Sequence, residues 1–156
     1  LCNSYPMKAI IQRVSQASVT IHGAVKSNIG IGFLVLLGIE HNDTIEDMQW
    51  LVQKIANIRI FNDEQGLMNL DIHAVHGDII VVSQFTLHAS TKKGNRPSFI
   101  KAARPDIAVP LYEAFVAQLQ QSIQGTVLTG EFGADMKVNL CNDGPVTIII
   151  DTKQKE

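Results

Sequence analysis

Eleven consecutive residues, Ile29 to Ile39, carry nothing but glycine and apolar side chains. A bilayer span needs about 20 such residues, so the run is too short for a transmembrane helix. Its second half, Phe33 to Ile39, is continuously apolar, the pattern of a strand covered on both faces. Gly30, Gly32 and Gly38 flank or interrupt it and suggest bends or close backbone approach. A strand buried on both faces requires a layer on each side, and 156 residues suffice to build that around one domain. With 46% hydrophobic and 18% charged residues, disorder is excluded.

The remaining segments predict the layers. Lys8 to Val14 reads as a strand, and Ser18 to His22 as an alternating one that pairs with the next segment through Gly23. Asp43 to Arg59 is the clearest helix. Ile45, Met48, Leu51, Val52, Ile55 and Ile58 form its core stripe, and Asp43 with Glu46 reads as a capping box. Asp63 to Gly66 reads as a turn and Ile79 to Phe85 as a second buried strand. Thr91 to Pro105 is loop-like, and Pro110 to Ile123 reads as a second helix with Pro110 in its first turn. Val127 to Thr129, Met136 to Cys141 and Val146 to Asp151 read as strands, the last two joined by a turn at Asn142-Asp143-Gly144-Pro145. The sum is one α+β domain over residues 7–156, with two main helices and a strongly curved, barrel-like mixed or antiparallel sheet. Leu1 to Pro6 fits none of this; Met7 is the expected natural start, with the six residues before it a cloning remnant or disordered extension.

Thirteen Lys and Arg against fifteen Asp and Glu give a net charge of −2, which argues against coating nucleic acid through bulk charge. The two cysteines, Cys2 and Cys141, make no disulfide framework, and Cys141 is expected to be a small core residue; a reducing, cytoplasmic setting follows. No phosphate-binding loop, dinucleotide fingerprint, C-x-x-C or H-E-x-x-H is present. His73 and His76 lack further ligands, so neither a metal nor a cofactor is expected.

Two segments could carry chemistry. Ser83-Gln84-Phe85-Thr86-Leu87 turns a buried strand polar at its end, which either delivers hydroxyls and an amide to a cleft or satisfies its own backbone. Asn142 to Thr147 is an ordinary hairpin turn or something more, and sequence does not reveal the isomer of its Gly-Pro bond. From Ile79 to Pro105 there is no acidic residue, while Lys92, Lys93, Arg96, Lys101 and Arg104 lie there. That patch is either a solvated face or a phosphate-binding rim.

Five motifs, in order, resemble the D-aminoacyl-tRNA deacylase family: Met7 to Val14, Ser83 to Leu87, Lys93 to Phe99, Phe132 to Met136 and Asn142 to Thr147. They cover the chain from Met7 to about Asp151. The resemblance implies a homodimer that hydrolyses the ester joining a D-amino acid to the acceptor end of tRNA, as chiral proofreading in translation. Ser83, Gln84, Phe85 and Thr86 of one subunit would form the catalytic pocket. Gly144 and Pro145 of the other, joined by a cis peptide bond and held by Arg13, would enter it and reject L-amino acids. Stiff backbone carbonyls beside the α-amino group can sense handedness because the wrong hand drives its side chain into them. Such a filter does not exclude glycine, so glycyl-tRNA is expected to be a substrate. Lys92, Lys93 and Arg96 would meet tRNA phosphates, and Phe85, Phe99 or Phe132 would stack the terminal adenine.

Two routes to ester cleavage compete. Thr86 attacks as nucleophile, which needs a base that no motif supplies. Alternatively water attacks with help from the substrate's ribose 2′-hydroxyl, Thr86 orienting and the N–H groups near Phe85 and Thr86 forming an oxyanion hole; this route is favoured. No membrane or DNA partner is expected. The rival readings are a non-catalytic nucleic-acid-binding module and a general small-ester hydrolase.

Overall fold

A computed structural model describes residues 6–155. Apart from Pro6, the Leu1 to Pro6 extension lies outside the described residues, as does Cys2. The elements run β1 (Lys8–Ile21), β2 (Ala24–Ile29), β3 (Gly32–Gly38), α1 (Ile45–Asn57), β4 (Phe61–Asn62), β5 (Met68–Leu70), β6 (Asp78–Ser83), a 3-10 turn (Phe85–His88), α2 (Pro105–Ser122), β7 (Val127–Thr129) and β8 (Lys137–Asp151). The fold is a single α+β domain with a mixed, nearly closed sheet.

The sheet is organised around β1, a single 14-residue strand where the sequence suggests two pieces. On one side its first half pairs antiparallel with β3 and its second half with β2; along the other side it pairs with β8, with breaks at Arg13 and Ser15. Beyond β3 the sheet continues through β6 and β7 in parallel, so α1 and α2 lie in the two crossovers. A register irregularity between Val14 and Gln16 turns β1 over. Before it, Ala9 and Ile11 join Phe33, Val35, Leu51, Ile55, Phe115 and Leu119 in a core under the helices. After it, Ala17, Val19 and Ile21 join Leu34, Ile80 and Val82 in a second core on the opposite face. The apolar runs at β3 and β6 are thus buried on both faces because each side faces a different core.

Several boundaries differ from expectation. Thr44 caps α1, its hydroxyl accepting from the Asp47 N–H at 3.1 Å while Asp47 accepts from the Thr44 N–H at 2.9 Å, so the capping box lies one residue past Asp43 and Glu46. α2 starts at Pro105, where a missing N–H costs nothing, and Pro110 sits on its exposed side inside the helix. The strand at Ile79 stops at Ser83, and Phe85 belongs to the 3-10 turn. Asn142 to Pro145 is no hairpin turn: β8 runs through it. Cys141 is exposed, because odd-numbered positions of this part of β8 face away from the core.

Asp43, displaced from the cap, turns inward and accepts the Glu40 N–H at 2.7 Å. Burial pushes its carboxyl up to about 7, and the Asp47 and Glu40 carboxylates add to this against the Glu40 N–H and the Lys153 ammonium. The folded chain therefore holds a proton that the unfolded chain releases above the ordinary carboxylate range, and stability falls as pH rises from about 4 through about 7. Asp43→Asn keeps the acceptor and removes the titration. It is expected to raise Tm at pH 8 by on the order of 3 °C and to change it little at pH 4. Thermal melts at the two pH values check this; equal shifts at both would refute it.

Candidate active site

The first candidate segment is held at the end of β6. The Gln84 N–H donates to the Leu37 carbonyl at 2.8 Å, which carries the β3–β6 pairing one residue past Ser83. The chain then folds over Gly38. A Cβ there would lie 2.9 Å from Leu87 Cβ and 3.2 Å from the Gln84 carbonyl oxygen, so only glycine admits the turn at this height. In the turn, Gln84 Nε2 donates to Thr86 Oγ1, leaving the hydroxyl proton of Thr86 available to another acceptor. Phe85 is 54% exposed and meets Phe99 edge-on, with ring centroids 5.2 Å apart. Its exposure marks it as a surface that a flat ring could cover. His88 turns inward, and burial lowers its imidazole below the usual range, so it is neutral near pH 7.

The basic loop lies beside this turn. Ser90 and Ser98 exchange backbone hydrogen bonds of 2.8 and 2.9 Å, closing a loop whose tip carries Lys92, Lys93 and Arg96, all exposed. Phe132 stands apart. It is half-buried against Tyr112, with ring centroids 6.1 Å apart, and the Tyr112 hydroxyl donates to the Val81 carbonyl at 2.8 Å.

The second segment is an excursion from β8. Gln12 pairs with Thr147 and Val14 with Asn142, so Arg13 alone faces the four residues Asp143 to Val146. The Gly144–Pro145 peptide bond is cis, and Gly144 has φ +145°. A Cβ on Gly144 would sit 2.8 Å from Val146 Cγ2 and 3.1 Å from Arg13 Nη2. The buried Arg13 guanidinium fills the gap in the ladder. Nε donates to the Asp143 carbonyl at 2.8 Å, and Nη1 donates to the Ile60 carbonyl at 2.7 Å and to Asn62 Oδ1 at 3.3 Å. The short hairpin of β4 and β5 thus anchors Arg13 from behind. Gly144 and Pro145 themselves are exposed.

Within one chain the two segments stay apart. Ser83, Leu37, Ala9 and Ile150 form one row across four strands, and Arg13 lies four residues along from Ala9. The path from Ser83 to Gly144 is about 14 Å across the strands and about 13 Å along them.

The family model described as D-Tyr-tRNA(Tyr) deacylase matches residues 10–151. The chain belongs to this family of hydrolases. It is 61% identical over 150 residues to the D-aminoacyl-tRNA deacylase of Bacteroides thetaiotaomicron, covering 96% of this chain and 100% of the relative. A D-aminoacyl-tRNA deacylase from Flavobacterium johnsoniae is 62% identical with the same coverage. Among solved structures, the c-Myc DNA Unwinding Element Binding Protein superimposes with a TM-score of 0.87 at 42% identity, covering 92% of this chain and 97% of that one. A probable eukaryotic D-amino acid tRNA deacylase superimposes with a TM-score of 0.79 at 17% identity, covering 94% and 99%, and shares the fold. In this family member both segments reach the surface.

Asn142, Gln12 and Asn62 are the members of these two surroundings to which the sequence assigns no role of their own, whereas Gly38 is the point of close backbone approach that its place in the apolar run suggests. Asn142 had a signal, an Asx residue opening an Asn-Asp-Gly-Pro segment. Gln12 and Asn62 had none, since their meaning lies in contacts across 130 and 49 positions.

Proposed function

We propose that the chain hydrolyses the ester of D-aminoacyl-tRNA, releasing tRNA and the D-amino acid, as a cytoplasmic proofreading enzyme of translation. The observation that carries this reading is the outward-facing Gly144–Pro145 excursion, held by Arg13, on a family chain whose polar strand end lies elsewhere on the sheet. That separation supports action in trans. Two chains pair as a homodimer, and Gly144 and Pro145 of one present main-chain atoms to the ester held near Ser83 to Thr86 of the other. The L enantiomer is rejected because its side chain meets those atoms.

Ester cleavage proceeds by attack of water, assisted by the ribose 2′-hydroxyl. The Phe85 and Thr86 N–H groups, at the open start of the 3-10 turn, face the developing oxyanion. Thr86, its oxygen already accepting from Gln84, donates its hydroxyl proton to orient the substrate. Phe85 and Phe99 offer a stacking surface to the terminal adenine, Phe132 standing apart from it, and Lys92, Lys93 and Arg96 meet acceptor-end phosphates.

Catalytic amounts of protein incubated with D-tyrosyl-, glycyl- and L-tyrosyl-tRNA test this reading. Multiple turnovers are expected with the first two and none above background with the third. No hydrolysis of glycyl-tRNA at high enzyme would count against steric exclusion as the filter. A second reading, a non-catalytic nucleic-acid-binding module, draws on the name of the 42% identical DNA Unwinding Element Binding Protein. Binding without turnover would favour it.

A further inference from the structure

We propose that Asn142 is a positioning residue that sets the shape of the Gly144–Pro145 excursion. This rests on the reading that the excursion selects chirality.

The ladder between β1 and β8 is interrupted between Asn142 and Thr147, so the excursion has no backbone partner of its own on β1. The Asn142 side chain supplies one. Its Oδ1 accepts the Val146 N–H at 2.7 Å, and its Nδ2 donates to the Val146 carbonyl at 3.3 Å. A carboxamide carries a donor and an acceptor in one plane, as a peptide group does, so it pairs Val146 as a neighbouring strand would. The ring so closed contains only Asp143, Gly144 and Pro145. The same Nδ2 lies 3.1 Å from Gln12 Oε1 and 3.1 Å from Thr147 Oγ1, which ties the closure to the first paired residues beyond it. Arg13 holds the Asp143 carbonyl at the opposite end. Removing either hold leaves the main-chain atoms of Gly144 and Pro145 free to shift, and a displacement of about 1 Å can cost about 100-fold in rate.

The carboxamide is specific. Asp keeps the acceptor for the Val146 N–H but turns an oxygen towards the Val146 carbonyl. Gln places the amide one methylene too far out. The Asn142 carboxamide is taken up by Val146, Gln12 and Thr147, so its expected effect is on rate and handedness and not on affinity for tRNA.

The test compares Asn142→Asp and Asn142→Ala with wild type, and with Gly144→Ala as reference. It measures kcat and KM on D-tyrosyl-tRNA, the rate on L-tyrosyl-tRNA, and Tm. Asn142→Asp is expected to lower kcat about 10- to 100-fold with KM within about twofold, and to raise the L to D rate ratio at least about tenfold. Loss of stability alone would lower the active fraction without moving that ratio. A folded Asn142→Asp enzyme with the wild-type ratio overturns the inference, as does a proportional loss that follows Tm. If Asn142→Ala does not fold, the near-isosteric Asp variant decides. The two levels separate through the reference: Gly144→Ala moving the ratio while Asn142→Asp does not overturns only the role of Asn142. Neither variant moving it overturns the reading beneath as well.

Discussion

Gly144→Ala is expected to reduce kcat/KM for D-tyrosyl-tRNA by about 100-fold, or roughly 2.7 kcal/mol of transition-state stabilisation, while the protein stays folded. The added methyl group has nowhere to go. At φ +145° it would lie 2.8 Å from Val146 Cγ2, 2.9 Å from the Val146 nitrogen and 3.1 Å from Arg13 Nη2. Two of these neighbours cannot yield cheaply, since the Val146 nitrogen is tied to Asn142 and Arg13 is fixed by three acceptors. The excursion must therefore move. Because Gly144 and Pro145 are exposed and outside the ladder, the cost to folding is local strain of about 1–3 kcal/mol, a Tm decrease of no more than about 10 °C. Steady-state kinetics beside a melting curve checks the pair of values. Full activity in a folded variant would detach the excursion from the reaction.

A substrate ending in 2′-deoxyadenosine is expected to be hydrolysed at least about 1,000-fold more slowly, whereas Thr86→Ala remains within about tenfold of wild type. Loss of a true nucleophile can cost about a millionfold. The contacts of Thr86 support the orienting role. Its oxygen accepts from the Gln84 amide, a neutral group that cannot take its proton, and the nearby His88 is buried with its face to the core. In the proposed route the ribose hydroxyl assists from the substrate's side. Single-turnover rates with the two terminal nucleosides check the first value and mutant kinetics the second. An acyl-threonine trapped on the protein would reverse the assignment.

Legibility in the sequence followed the range of the cause. β3 and β6 were readable because burial on both faces leaves a continuous apolar run. α1 was readable from its stripe, yet its cap was misplaced because Asp43 and Thr44 are both good caps and tertiary burial of Asp43 decided between them. A start at Pro110 lies five residues inside the second helix because Pro105 suits a first turn as well. Asn142 to Pro145 has every mark of a hairpin turn, but β1 runs past it and pairs on both sides, which converts a reversal into an excursion. The Ser83 to Thr86 and Gly144–Pro145 segments were legible as motifs. The further supports of the second segment were not, since Ile60, Asn62 and Gln12 reach it only through the fold.

The placement of Ser83 and Gly144 at distant corners of one sheet has a consequence for dosage. Under the proposed action in trans, neither segment suffices within one chain, so dilution is expected to lower activity without unfolding the protein. Far below the pairing constant, that proposal predicts activity rising with the square of chain concentration, so that half the protein gives about a quarter of the rate.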